Sequence, residues 1–216
     1  MKTLLFLFSM ALVSGCSASS TQTVADAQGK LVELRTTRPS NKKEESSLRG
    51  KPRIEKFPSY GICAGSFVSP YGDILTAQHC VDGATTVDVI HNGKEYRATI
   101  KSISKAHDLA LIHIDKFNTP FFKLAVSLVQ GQAIHVLGSP LGISGSYSRG
   151  TVAKLGGDVD YMDCGVLPGN SGGPVFNDEG DMVGVATAGF IVMFGTTHLN
   201  IMQSIDAIRG FTIYGH

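Results

Sequence analysis

A serine set among glycines is the residue of this sequence best suited to attack a carbonyl carbon. Residues 168–174 read PGNSGGP, with Ser171 at the centre. Glycine accepts positive φ and has no side chain, so such a loop can turn tightly, expose a serine oxygen and aim backbone N–H groups at one point. We expect the N–H groups of Gly169 and Ser171 to form an oxyanion hole, which stabilises negative charge on an attacked carbonyl oxygen.

A serine hydroxyl needs a base to accept its proton, and two further segments supply a base and its partner. Residues 76–80 read TAQHC and place His79 directly after an apolar strand pattern. Residues 107–112 read HDLALI and place Asp108 at the mouth of a buried-looking strand, where a carboxylate is costly unless it is hydrogen-bonded. Asp108 would orient the His79 ring. Asp82 is an alternative for that role, although its turn-like surroundings favour a surface position.

Strands must position these residues, because the chain from Tyr60 onward alternates short apolar runs with turn residues. The clearest runs are residues 66–68, 73–76, 109–114 and 133–137. The one strong helical pattern covers residues 200–209. The pattern predicts an all-β fold with a closing C-terminal helix.

The three segments, in the order histidine, aspartate, serine, resemble the signatures of the trypsin-like serine proteases of the chymotrypsin fold. The resemblance covers about residues 60–210, and the segments 136–142 (VLGSPLG) and 148–152 (SRGTV) resemble the bacterial HtrA branch. It implies two six-stranded antiparallel β-barrels with a C-terminal helix over residues 59–216. It also implies hydrolysis of peptide bonds through an acyl-enzyme, without a metal or another cofactor.

Two departures from that family bear on regulation. The chain ends at His216, so we expect no PDZ domain of the kind that many HtrA relatives carry. Many trypsin relatives become active when a new N-terminal amine pairs with an aspartate just before the serine. Asn170 occupies that position here and offers no charge, so we expect no activation by N-terminal insertion.

The resemblance also implies where the residue preceding the cleaved bond would bind. The expected lining residues are Gly165, Val166, Thr187, Ala188, Gly189 and His198. None of them is acidic, so we expect a small or medium apolar residue rather than Lys or Arg. His198 leaves two interpretations open: a polar contact to a Gln or Glu side chain, or a histidine hydrogen-bonded near a strand.

The N-terminus is typical of an exported protein. Residues 1–15 combine Lys2, an apolar stretch and small residues, and predict a signal peptide. The sequence VSGC at residues 13–16 resembles a bacterial lipoprotein box, which implies lipidation of Cys16; ordinary cleavage near Ala18 is the alternative.

Residues 16–58 are polar and irregular and predict a lipid-anchored flexible linker, with a short strand possible over residues 31–36. We expect a location in the cell envelope, facing the periplasm or the outer surface, with a membrane contact through the lipid on Cys16.

Three further cysteines remain after Cys16. Cys63 and Cys80 flank a hairpin-like pattern and resemble the pair that is bridged beside the catalytic histidine of trypsin relatives, so we expect a disulfide. Cys164 has no obvious partner and is expected to be a small buried side chain.

Charge limits the classes of partner. Lys and Arg total 19 against 18 Asp and Glu, a net charge of +1, which argues against binding to nucleic acid. The expected partners are protein or peptide substrates, and the oligomeric state stays open. Two other functions compete with that of an endopeptidase: a catalytically silent binding protein of protease fold, and an esterase or other acyl hydrolase that uses the same three residues.

Overall fold

The computed structural model describes residues 20–39, 58–192 and 195–214, and strands predominate in them. The predicted signal peptide, Cys16 and residues 40–57 of the predicted linker lie outside that part of the chain. The helices are α1 (Ser20–Gln28), α2 (Gln78–Val81) and α3 (Ile205–Tyr214), with a 3₁₀ turn at Pro140–Gly142. The strands are β1 (Leu31–Pro39), β2 (Pro58–Phe67), β3 (Asp73–Ala77), β4 (Thr86–His91), β5 (Lys94–Arg97), β6 (Thr99–Ser104), β7 (Leu109–His113), β8 (Ala133–Gly138), β9 (Ser146–Lys154), β10 (Val159–Met162), β11 (Pro174–Phe176), β12 (Met182–Val192) and β13 (Gly195–Ser204).

The first sheet has seven antiparallel strands in the order β5-β4-β1-β2-β3-β7-β6. Apolar side chains that alternate along these strands form its core, so one face of each strand is buried. The central members are Val32, Leu34, Phe67, Ile74 and Ile112. Seven strands stand where six were expected. The hairpin turn at Asn92 and Gly93, both with positive φ, allows the short β5 to extend the sheet.

The second sheet closes into a six-stranded barrel in the order β10-β13-β12-β11-β8-β9. Its interior is apolar and includes Ile134, Val136, Val152, Met162 and Val183. The predicted all-β class, the closed six-stranded barrel and the C-terminal helix are confirmed.

The C-terminal helix begins later than its pattern indicates. The pattern covers residues 200–209, but Asn200 pairs with Met162 and Ser204 pairs with Gly184, so this stretch completes the barrel. Helix α3 follows from Ile205 and buries Ile208 against the core.

The predicted flexible linker is wrong for residues 20–39, although the short strand allowed over residues 31–36 is present within β1. Strand β1 lies in the interior of the first sheet, between β2 and β4, where Val32 and Leu34 are buried. Helix α1 precedes it and buries Ala27. The first sheet therefore includes β1 and would be split without it.

The two sheets share a core that supports the region between them. Leu75 of β3, Leu137 of β8 and Val185 of β12 belong to one buried cluster.

Within the described residues, no helix is long and apolar enough to cross a membrane.

Candidate active site

His79 lies where strand β3 passes into the four-residue helix α2. Its Nδ1 atom lies 2.8 Å from Oδ2 of Asp108, and its backbone N–H donates to Oδ1 of the same carboxylate at 2.9 Å. A carboxylate only accepts hydrogen bonds, so Nδ1 must carry the proton, and Nε2 is left with a free lone pair. The structure thus gives His79 the tautomer that a general base needs.

The backbone of Asp108 is held in place as well as its side chain. It has a positive φ of 47°, and its carbonyl accepts the N–H of Gln78 at 3.0 Å. Strand β7 begins at the next residue and pairs with β3, so Asp108 and His79 stand at adjacent strand ends. By contrast, the side chain of Asp82 makes no hydrogen bond to His79 among the described residues.

Ser171 lies in the loop between β10 and β11. Its carbonyl accepts the N–H of Ala64 in the first sheet at 2.8 Å, which ties the loop to β2. Its hydroxyl donates to the carbonyl of Thr187 at 3.0 Å, and no hydrogen bond joins it to His79 among the described residues. The hydroxyl must therefore leave the Thr187 carbonyl before His79 can take its proton.

The disulfide gives the relative placement of the histidine and the serine. A side-chain nitrogen of His79 lies within 4.8 Å of the Cys80 sulfur, which lies 3.6 Å from the Ser171 carbonyl oxygen. His79 and the Ser171 loop therefore face each other around one sulfur atom.

Within residues 169–173, two backbone N–H groups have no acceptor among the described residues. Those of Asn170, Gly172 and Gly173 donate to backbone carbonyls, whereas those of Gly169 and Ser171 have no acceptor within the described part of the chain. These two are the donors expected for an oxyanion hole.

Glycine is required at position 169 of that loop. Its φ is +104°, and an added Cβ would lie 2.2 Å from the carbonyl oxygen of Ser139. The backbone of the loop thus packs directly against the chain that follows β8.

Asn170 shows how the loop is supported without an ion pair. Its side chain is buried against Gly138, where an added Cβ would come within 2.4 Å of Oδ1. Among the described residues, Oδ1 has no hydrogen-bond partner, and neither has the buried Oγ of Ser139. Close packing of a neutral amide is therefore what holds this side chain.

The predicted disulfide between Cys63 and Cys80 is present, and it joins β2 to α2. The two sulfurs and His79 also form the one group of potential metal ligands in the described residues, but the sulfurs are bonded to each other. Cys164 is free and buried, and burial raises the pKa of its thiol to about 12. It is therefore protonated and unreactive at neutral pH.

The expected substrate pocket is described in part. The side chain of Thr187 is buried, and Gly165 has open space where a Cβ would stand. Ser148 donates to the Gly165 carbonyl at 2.9 Å. The side chains of residues 188–198, among them Ala188 and His198, lie outside the described part of the chain. For Gly189 only the backbone is described.

Two contributors to the site lack a signal in the motifs. The Thr187 carbonyl accepts the Ser171 hydroxyl, and Arg38 of β1 donates to the carbonyls of His79 and Cys80. A backbone acceptor cannot be found by residue type. The pattern over residues 31–36 allows a short strand, but it does not indicate that this segment approaches the site.

Known proteins match the chain in sequence and in fold. Residues 63–185 match the model of the trypsin-like peptidase domain. A probable periplasmic serine endoprotease, DegP-like, from Marinomonas sp. (strain MWYL1) is 34% identical over 164 residues, which are 68% of this chain and 35% of that protein. A protein of the same description from Chlamydia pneumoniae is 33% identical over 136 residues, 57% of this chain and 28% of that protein. The chain thus spans about a third of the length of these curated relatives.

A solved structure shows the likeness of fold. A variant of the HtrA-type protease AlgW, solved with a decapeptide, superimposes with a TM-score of 0.82 at 21% identity. The match covers 92% of this chain and 68% of that chain. The agreement extends over both sheets and includes most of the described residues.

Proposed function

The chain belongs to the trypsin-like peptidase family, and on that premise we propose that it is a serine endopeptidase. The observation that carries the proposal is the 2.8 Å contact of His79 with Asp108, made beside a serine loop with two free N–H groups. The resemblance to the HtrA branch, noted in the motifs, agrees with the DegP-like relatives.

The proposed reaction begins with the release of the Ser171 hydroxyl from the Thr187 carbonyl. The hydroxyl oxygen attacks the carbonyl carbon of the substrate while Nε2 of His79 takes the proton. The N–H groups of Gly169 and Ser171 stabilise the oxyanion, and Asp108 stabilises the imidazolium. His79 then protonates the leaving amine, which leaves the acyl group on Ser171. A water molecule attacks the acyl carbon while Nε2 of His79 takes its proton. His79 returns that proton to the Ser171 oxygen as the acid product leaves.

The proposed substrates are proteins or peptides with a small or medium apolar residue before the cleaved bond. Gly165 leaves open space in the described part of the expected pocket, and Val166 is partly buried against the barrel core. Cleavage of a peptide library would test this preference, and cleavage chiefly after Lys or Arg would contradict it.

We further propose export to the cell envelope with a lipid on Cys16. The DegP-like relatives are named periplasmic, which supports export. Incorporation of labelled palmitate into the full chain tests the anchor, and a label that persists in Cys16→Ser would place the lipid elsewhere.

The activity itself is tested with a fluorophosphonate probe and a peptide substrate. We expect labelling and hydrolysis in the wild type and in the control Ser127→Ala, which alters an exposed serine away from the site, and neither in Ser171→Ala. A wild type without labelling would support a silent binding protein, and labelling with hydrolysis of esters alone would support an esterase.

A further inference from the structure

The helix that carries His79 is too short to satisfy its own carbonyl groups. Helix α2 has four residues, and backbone N–H groups reach only the carbonyls of Gln78 and Val81 near its end. The carbonyls of His79 and Cys80 accept no backbone hydrogen bond within the described residues. A single turn of this kind is not stable by itself and takes its orientation from its contacts.

A guanidinium from another element fills this gap. Nη2 of Arg38 donates to the carbonyls of His79 at 2.9 Å and of Cys80 at 2.6 Å, and Nε donates to the carbonyl of Asp82 at 2.8 Å. Its positive charge stands at the C-terminal end of α2, where the carbonyl dipoles favour a cation. One planar group thus donates to three carbonyls in and just after the turn that carries His79.

The path of this side chain is kept open by a glycine on the neighbouring strand. Gly61 of β2 pairs with Thr36 of β1, and a Cβ at Gly61 would approach Oγ1 of the buried Thr36 to 2.8 Å and Nη1 of Arg38 to 2.9 Å. The same end of β1 also holds the chain after α2, since the Thr37 carbonyl accepts the N–H and the hydroxyl of Thr85. The end of β1 therefore meets the segment around α2 at two points, through the Arg38 side chain and through the Thr37 carbonyl.

We propose that Arg38 is a positioning residue for His79. It fixes the turn of α2 so that the imidazole keeps its bond to Asp108 and presents Nε2 toward Ser171. This inference rests on the proposed role of His79 as general base. It gives the N-terminal strand, which the motif pattern does not include, a direct part in the geometry of the reaction.

The test compares variants of the full chain. Arg38→Met keeps the length of the side chain without its donors, Arg38→Lys keeps the charge with fewer oriented donors, and Gly61→Ala displaces the guanidinium while retaining it. Arg35→Met is the matched control for kcat, since Arg35 lies on the same strand and contacts Glu33 rather than α2; it leaves the buried Glu33 carboxylate unpaired, so its melting temperature is not compared.

We expect kcat to fall roughly 10- to 100-fold in Arg38→Met with little change in KM, because misplacing a reacting group by about an ångström costs that much. Arg38→Lys should recover part of the loss, Gly61→Ala should show part of it, and Arg35→Met should match the wild type. The low-field NMR resonance of the His79 Nδ1 proton should broaden or shift in the same order.

Two results would overturn the inference. One is a folded Arg38→Met protein with wild-type kcat and an unchanged Nδ1 resonance. The other is a lower melting temperature with normal kcat well below it, which would make Arg38 purely structural. If Arg38→Met does not fold, Arg38→Lys and Gly61→Ala decide by the same criteria. If the wild type is inactive, the proposed function is contradicted. The Nδ1 resonance of the variants would still show whether Arg38 positions His79, because it does not depend on turnover.

Discussion

The carboxylate of Asp108 divides its two oxygens between the ring and the backbone of His79. In Asp108→Asn the amide can keep one of these acceptors, but its nitrogen cannot accept the Nδ1 proton, so the ring loses the tautomer that leaves Nε2 free. We expect kcat to fall by about 10⁴ with a native circular dichroism spectrum. Asp82→Asn, in the turn after α2, is the control. An equal loss there would mean that the orienting carboxylate is misassigned.

The loop that holds the serine depends on the absence of a side chain at position 169. In Gly169→Ala, a methyl group would collide with the Ser139 carbonyl at a φ that favours glycine, so the loop must shift and its free N–H groups with it. We expect a loss of 10²–10³ in kcat, the typical effect of removing one oxyanion donor.

Gly210→Ala provides the control for that substitution, because Gly210 lies in α3 with open space around its Cα. Alanine there should leave kcat unchanged and raise the stability of the helix slightly. A folded Gly169→Ala protein with normal kcat would show that the oxyanion is stabilised elsewhere.

At the scale of residues, the motifs were a good guide to chemistry and a poor guide to conformation. The three segments around His79, Asp108 and Ser171 indicate residue types that the fold brings to one place. They do not indicate that the hydroxyl of Ser171 donates to the Thr187 carbonyl, because the choice among staggered χ1 positions depends on neighbours from a distant strand.

At the scale of elements, three strands of the first sheet are joined by one carboxylate. Asp73 begins β3 and accepts from Ser69, from His113 of β7 and from Lys101 of β6. Burial raises the pKa of Asp73, but the hydrogen bonds from these three side chains outweigh it and hold the pKa below its ordinary value of 3.8. Asp73 therefore favours the folded state while it is ionised.

This direction fixes the pH range of the effect. A carboxyl group with a lowered pKa in the folded state contributes its stability above its unfolded pKa and loses it as the pH falls through the folded one. We expect Asp73→Asn to lower the free energy of unfolding by about 1–2 kcal/mol at pH 7, with the difference from the wild type shrinking below about pH 4.

Urea unfolding at several pH values measures the effect. Asp88→Asn is the control, since Asp88 pairs with Arg97 at the edge of the same sheet and its loss should cost less. A difference between Asp73→Asn and the wild type that grows in acid would contradict the assigned direction.

At the scale of the whole molecule, the fold needs a segment that local sequence does not attach to it. Strand β1 is separated from β2 by residues 40–57 and carries polar residues between Leu31 and Pro39, so its pattern allows a strand but names no partner. Its pairing with β2 and β4 is decided by long-range contacts. The all-β class and the C-terminal helix were predictable because their apolar runs follow one another closely in the chain.

Truncation tests the part that β1 plays. A protein that starts at Ser20 should unfold cooperatively and keep its activity, because it retains every described element. A protein that starts at Pro58 lacks β1, so β2 and β4 face each other across a gap, and we expect no cooperative thermal transition. Circular dichroism would follow the thermal unfolding, and amide hydrogen exchange would measure the protection of the sheet. Native melting of the shorter protein would show that the sheet can close without β1.

The first sheet is open, which matters when the protein is concentrated. The barrel has no free strand, but β5 and β6 end the seven-stranded sheet, and no described strand pairs with their outer sides. Such edges can recruit a strand from a second molecule and seed aggregates. Strand β5 is only four residues long and carries Lys94, Glu95 and Arg97, while Lys101 lies in β6. Short length and charge make β5 a poor template, so that edge of the sheet resists pairing with a second molecule, whereas β6 exposes Ile100 and Ile103 beside Lys101.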